Sequence, residues 1–328
     1  MPRPLPSLLP VRASRKFAVL IPLLLAIGLS PDLAQARVSL EALRRDGYGM
    51  VELTRPEPNI LTVSATINGR KARLIVDTGW SGEGITVKAD YAQALRSQVE
   101  GVRNFGRAAS GQALTGIKKG VADNVMIGNV LMRQVPVFVG NIPSLQLSYT
   151  RSLHADGFIG SGFLSTCSGI VDLHNLRLYL RPPGTGRRAV IGAAMKAQGL
   201  AEAPFHIIQT NCLVAVEING APGIMFVDTG ATLAGVDERF VPQMNAKTRA
   251  ARATAIDAAG IERQTKLTTL NSFRIAGIPV RAPDLRIAKF GFYDSTRGKV
   301  IGLLGMDILG QNGTIIDFGQ KKLYFYPL

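Results

Sequence analysis

"LIVDTGWSG" (residues 74–82) and "MFVDTGATL" (residues 225–233) carry the same tripeptide in the same setting. An apolar run ends on an aspartate, Asp77 or Asp228, and Thr-Gly follows. A carboxylate at the end of a buried strand costs free energy unless it is hydrogen-bonded or protonated. Two such carboxylates in one chain suggest that they meet.

The flanking sequence repeats as well. Residues 60–79 answer 212–230, 125–139 answer 273–287, and 156–180 answer 301–325. Further upstream, 40–53 answers 192–205, placing Leu43 on Met195 and Gly47 on Gly199. The unit is too long for a solenoid repeat, so two copies imply two homologous lobes. The stretch "RPPGTGRR" (181–188) breaks regular structure between them. The expected division is residues 37–182 for the N-terminal lobe, 183–188 for a linker and 189–328 for the C-terminal lobe.

Within each unit the pattern is that of strands. "LTVSATING" alternates apolar and polar residues. Asn68-Gly69 and Asn219-Gly220 signal tight hairpins, since this dipeptide tolerates positive φ. The returning strands "ARLIVD" and "GIMFVD" are continuously apolar and deliver the aspartates to a lobe interior. "GFIG" and "LLG" read as apolar strands ending at Gly160 and Gly305. "GIVDLHNLRLYL" and "GTIIDFGQKKLYFY" read as closing hairpins. The 35 glycines among many Val, Ile and Leu fit short strands and tight turns. The fold class expected is mainly β, with two homologous barrel lobes, short helices and a cleft between the lobes.

The first 36 residues read as a secretory signal peptide: Arg12, Arg15 and Lys16, an apolar core over 17–29, and Ala34 and Ala36 in an A-x-A arrangement. The apolar core is shorter than the roughly 20 residues of a membrane span, and no later stretch is long enough. An uncleaved signal anchor is the second reading. Cleavage after Ala36 would release a periplasmic or secreted protein with no stable membrane span. In that compartment Cys167 and Cys212 are either a disulfide or two buried thiols.

The net charge of +15 raises the question of nucleic acid. The basic residues are scattered short pairs without interleaved aromatics, so a generally basic surface is expected and no nucleic-acid partner. His154, His174 and His206 are not in metal-ligand spacing. No nucleophile elbow or phosphate loop is present. Neither a metal nor a cofactor is expected.

Two carboxyl groups sharing one proton supply both halves of peptide hydrolysis. The ionised member draws a proton from water and the protonated one donates to the carbonyl oxygen. Threonine offers a hydroxyl to lock the two turns together. Glycine lets backbone amides approach the carboxylates.

The chain resembles the retropepsin/pepsin-like aspartic protease superfamily, each lobe being similar to the bacterial retropepsin-like type. The motif apolar-apolar-Asp-Thr-Gly, met later by apolar-apolar-Gly, stands here as Ile75–Gly79 with Phe158–Gly160, and as Phe226–Gly230 with Leu303–Gly305. The resemblance covers residues 38–328. It implies Asp77 and Asp228 as the catalytic dyad, with Thr78, Gly79, Thr229 and Gly230 supporting it. It implies a polypeptide substrate bound as an extended strand; one chain that already holds two copies joined by a short linker points to a monomer. It also implies a flap near 105–120, with a counterpart near 251–266. Lacking the tyrosine of the pepsin branch, the first flap points to the retropepsin side. Trp80 stands where the family usually has a small residue, so its indole either lines a pocket or obstructs the water. Two function classes follow: an exported aspartic endopeptidase, or a catalytically silent peptide- or envelope-binding module on the same fold.

Overall fold

The computed structural model describes residues 43–56, 59–95, 99–103 and 105–328. The proposed export segment lies outside the described residues. Among the described residues no helix is long and apolar enough to cross a membrane.

Each aspartate strand is the second arm of an Asn-Gly hairpin. Thr62–Ile67 pairs antiparallel with Arg70–Asp77, and Asn211–Ile218 with Ala221–Val227. The turn residues Asn68 and Gly69 have φ of 47° and 84°, and Asn219 and Gly220 of 51° and 86°. That geometry is the primed turn that matches strand twist. The asparagine side chains also tether the turns. Asn68 accepts from the Asn124 N–H at 3.0 Å, and Asn219 from the Asn271 N–H at 2.8 Å.

In the first lobe six strands form a closed ring. The order is Thr62–Ile67, Arg70–Asp77, Gly157–Gly160, Ile85–Lys88, Val130–Gly140 and Lys118–Ile127, which returns to Thr62–Ile67. Leu61, Leu74, Ile85, Ile127 and Ile159 fill its interior, as the apolar alternation dictates. The second lobe repeats the order without closing it. Its counterpart of the long 118–140 hairpin is cut into Phe273–Ile275 with Ile278–Pro279 and, apart from it, Glu262–Thr268 with Leu285–Ala288. Pro279 and Pro283 lie in that interruption, and neither can donate to a ladder.

The hairpins read as closing each lobe do something different. Ile170–Asp172 and Ile315–Asp317 pair antiparallel with each other, Val171 opposite Ile316. With Arg177–Leu180 and Gly49–Glu52 on one side, and Lys322–Phe325 and Ala201–Pro204 on the other, they build one six-stranded sheet shared by both lobes. Ile170–Asp172 and Ile315–Asp317 are buried throughout, so neither could remain a sheet edge. The short helices under this sheet end on left-handed glycines, Gly47 (φ 88°) and Gly199 (φ 83°), and bring Leu43 and Met195 into one apolar cluster. Cys167 and Cys212 are both buried free thiols. Burial pushes the Cys167 thiol up to about 12 and raises that of Cys212 as well.

Candidate active site

The two Asp-Thr-Gly turns leave their strands at the lobe interface. Asp77 ends a strand that runs parallel to Gly157–Gly160, in register with Gly160. A Cβ on Gly160 would stand 2.0 Å from the Trp80 carbonyl oxygen, so only glycine fits. In the second lobe Val227 is in register with Leu304, and a Cβ on Gly305 would stand 2.4 Å from the Leu233 carbonyl carbon. The apolar-apolar-Gly strand thus seats each aspartate loop. The N–H of Ser161 donates to Trp80 O (2.9 Å), and that of Met306 to Ala231 O (2.8 Å).

Each carboxylate is held by its own loop in the same way. Asp77 Oδ1 accepts the N–H of Gly79 (2.9 Å) and of Trp80 (3.1 Å). Asp228 Oδ1 accepts the N–H of Gly230 and of Ala231, both at 3.0 Å. The threonines cross between lobes. Thr78 Oγ1 donates to Val227 O (2.6 Å) and accepts the Thr229 N–H (3.0 Å). Thr229 Oγ1 donates to Val76 O (2.7 Å) and accepts the Thr78 N–H (3.0 Å). The glycines are crossed too. A Cβ on Gly79 would lie 2.5 Å from Asp228 Cγ, and one on Gly230 would lie 2.3 Å from Asp77 Cγ.

Asp77 and Asp228 are therefore brought together, with their carboxyls in hydrogen-bonding contact. Burial raises both acids above the ordinary range. Asp77 goes well above it, because the negative charge of Asp228 adds to its burial. Asp228 rises less, since its hydrogen bonds to Asp77, Ala231 and Gly230 offset part of the burial cost. A pair of this kind holds one proton between two oxygens and titrates as a unit.

Trp80 is only 5% exposed. Its ring stacks on Phe158, with centroids 4.5 Å apart, and Phe105 packs against it at 5.8 Å. Its Nε1–H donates to Thr86 Oγ1 at 2.8 Å. The indole is thus part of the first lobe's aromatic cluster. Across the interface the residue equivalent to Trp80 is Ala231, which packs against the cluster of Ala288, Phe290 and Leu303. Sequence reasoning missed Thr86, a lone polar residue in an apolar run, and Ser161, whose hydroxyl bonds Trp80 O (3.2 Å).

The segment 105–120 lies over this interface. Phe105 and Gly106 approach Gly82 and Ser81, and Ala109 packs against the same second-lobe cluster as Ala231. Its tip is a small turn in which Ala108 and Gln112 are hydrogen-bonded and Arg107 bridges to Ala113. The counterpart in the second lobe is the hairpin Thr248–Ile256 with Glu262–Thr268. Among the described residues no group of three or more His, Cys, Asp or Glu is placed to hold a metal ion.

Two family models match the chain, one in each lobe. "Aspartyl protease" matches residues 63–163, and "gag-polyprotein putative aspartyl protease" matches residues 214–311. No curated protein matches. Among solved structures, the aspartic proteinase from Irpex lacteus is 13% identical, with 84% of this chain and 96% of that one covered at a TM-score of 0.47. A retropepsin-like aspartic protease from Rickettsia conorii is 20% identical, with 40% of this chain and 90% of that one covered at a TM-score of 0.29. With one family match in each lobe, on either side of the crossed threonines, the chain carries two aspartyl-protease-like domains in one polypeptide.

Proposed function

We propose that the protein is an exported aspartic endopeptidase in which Asp77 and Asp228 form the catalytic dyad. The observation that carries this is the pair of carboxyls in contact, each fixed by two amides of its own loop. The pair starts with a single proton, carried by Asp77 when the water attacks. A water held between the carboxyls loses a proton to ionised Asp228 while its oxygen attacks the scissile carbonyl carbon. Asp77 gives its proton to the carbonyl oxygen, producing a tetrahedral diol. Collapse returns a hydroxyl proton to Asp77. The proton on Asp228 passes to the leaving nitrogen, the C–N bond breaks, and the dyad again holds one proton.

The substrate is a polypeptide, lying as an extended strand between the aspartate loops and the 105–120 segment. Export follows from the signal-type sequence of residues 1–36, and the working form is the monomer of residues 37–328, its lobes joined by 183–188. The test is incubation of purified 37–328 with an unfolded protein at mildly acid and neutral pH. Cleavage by the native chain, and none by Asp77→Asn or Asp228→Asn, is the expected result. Cleavage that persists in Asp77→Asn removes the dyad mechanism. Binding of peptides without cleavage would point to a silent binding module instead.

A further inference from the structure

The two lobes exchange contacts above the cleft as well as below it. The turn at the end of the Thr248–Thr268 hairpin is organised by Asp257, whose Oδ1 accepts the N–H of Ala259 and of Ile261, both at 3.0 Å. Its second oxygen does not serve the hairpin. Oδ2 accepts the N–H of Ser110, 147 residues away at the tip of the 105–120 segment, at 2.8 Å. One residue earlier, Ala109 O accepts the N–H of Gly291 at 2.8 Å. Backbone meets backbone here so closely that a Cβ on Gly291 would stand 2.5 Å from both Gly111 N and Ser110 O.

The apolar contacts are reciprocal. Ala109, from the first lobe, packs into the second lobe's cluster of Ala288, Phe290 and Leu303. Ala258, from the second lobe, packs into the first lobe's cluster of Trp80, Phe138 and Phe158. The Ser144 N–H also donates to Ala258 O, at 3.3 Å.

We infer that Asp257 is a latch: its carboxylate fastens the 105–120 segment across the cleft in the free protein, and the latch must open before a peptide strand enters. A carboxylate accepting a backbone N–H is a charge-assisted bond, stronger than a neutral one. One carboxylate holds both its own turn and the opposing tip, so the two lids open as a coupled pair. The tips also occupy the aromatic clusters flanking the dyad, where side chains of an incoming strand would lie. The gating of peptide entry rests on the reading of the cleft as peptide-binding, but the fastening of the 105–120 segment by Asp257 does not.

Hydrogen exchange on the full mature chain tests the latch without reference to cleavage. Asp257→Ala should speed exchange of the Ser110 amide on the order of tenfold or more. Gly291→Ala, which leaves the hairpin intact, should speed exchange over 108–112 by wedging the tip away. Amides of the barrel strands, such as Val76 and Val227, should hold their protection in both variants, which shows that the fold survives. Asp257→Asn keeps one carbonyl oxygen for two duties and should fall between native and Asp257→Ala. With a cleavable peptide, Asp257→Ala should raise kcat/KM several-fold at unchanged kcat, since only entry is eased. Unchanged exchange in both variants overturns the latch. A fall in kcat/KM would make Asp257 a contact of the bound substrate and equally overturn it. A chain that cleaves nothing leaves the exchange result standing and sinks only the proposed activity.

Discussion

Thr78 and Thr229 each donate a hydroxyl to the carbonyl that precedes the other's aspartate, and each accepts the other's backbone N–H. Four hydrogen bonds therefore close a ring across the lobe boundary, with both side chains buried. The ring fixes the relative position of Asp77 and Asp228, since each threonine is bonded to its aspartate in sequence. A small shift of one lobe would break all four bonds together.

Thr78→Val keeps the side-chain shape and removes the hydroxyl. It strands the Val227 carbonyl and the Thr229 N–H in the interior, at an expected cost of about 2–4 kcal/mol. Thr229→Val should cost a similar amount. The double variant should cost less than the two singles added, because they share one ring. Thr78→Ser should recover most of the loss. Urea unfolding of the four variants measures each of these, and strict additivity would show that the ring does not act as a unit.

The dyad predicts a bell-shaped pH dependence for cleavage. Activity needs one proton on the pair, so the two limbs report the successive titrations of the pair as a unit, which burial raises above the ordinary carboxylate range. The stability sign runs the other way from an ion-paired acid. A carboxyl raised on folding binds its proton more tightly in the folded chain than in the unfolded one. Stability therefore falls as pH rises from the unfolded value through the folded one. Asp77→Asn removes that loss, so its stability gain over the native chain should grow with pH while its cleavage disappears. Thermal unfolding across pH 4 to 8 checks the first, and peptide cleavage the second.

Asp317 offers a separate test at the centre of the shared sheet. It is 1% exposed, and burial pushes its pKa up to about 6. Oδ1 accepts the Gln320 N–H at 2.9 Å, while Oδ2 is buried with no hydrogen-bond partner. Ionising it costs the fold on the order of 2–3 kcal/mol at neutral pH, a loss that sets in as pH rises from about 4 to 6. Asp317→Asn keeps the Oδ1 acceptor without the charge. It should raise the melting temperature at pH 7 and change it little at pH 4; equal gains at both would remove ionisation as the cause.

Much of this arrangement is written locally. Asn68-Gly69 and Asn219-Gly220 specify their hairpins through backbone preference, and the apolar runs before Asp77 and Asp228 specify burial. Gly160 and Gly305 are legible because a strand that ends on glycine beside a turn needs close approach. The partners of Ile170–Asp172 were not legible. Its ladder neighbour, Ile315–Asp317, is 145 residues away, and each hairpin taken alone has the pattern of a strand pair completing its own lobe. Asp257 was hidden for a related reason. An aspartate before Ala-Ala-Gly is an ordinary turn residue, and only the fold reveals that its second oxygen reaches Ser110. The orientation of Trp80 depended on Thr86 and Phe158, whose approach no spacing in the sequence discloses.

Trp80 decides between two roles for a bulky side chain next to Asp77. Its Nε1–H is bonded to Thr86, its ring lies on Phe158, and only its backbone N–H reaches the carboxylate. An indole so placed is anchored within the first lobe's aromatic cluster. Trp80→Phe preserves the stacking and loses one buried hydrogen bond, so it should cost about 1 kcal/mol and keep cleavage. Trp80→Ala opens a cavity under Phe105 and Phe158 at an expected 3–5 kcal/mol. It should change which side chains the first lobe prefers before it changes kcat. Profiling both variants on a peptide library separates these outcomes. A rise in kcat in both would mean that the indole obstructs the water, because only obstruction is relieved by shrinking the ring.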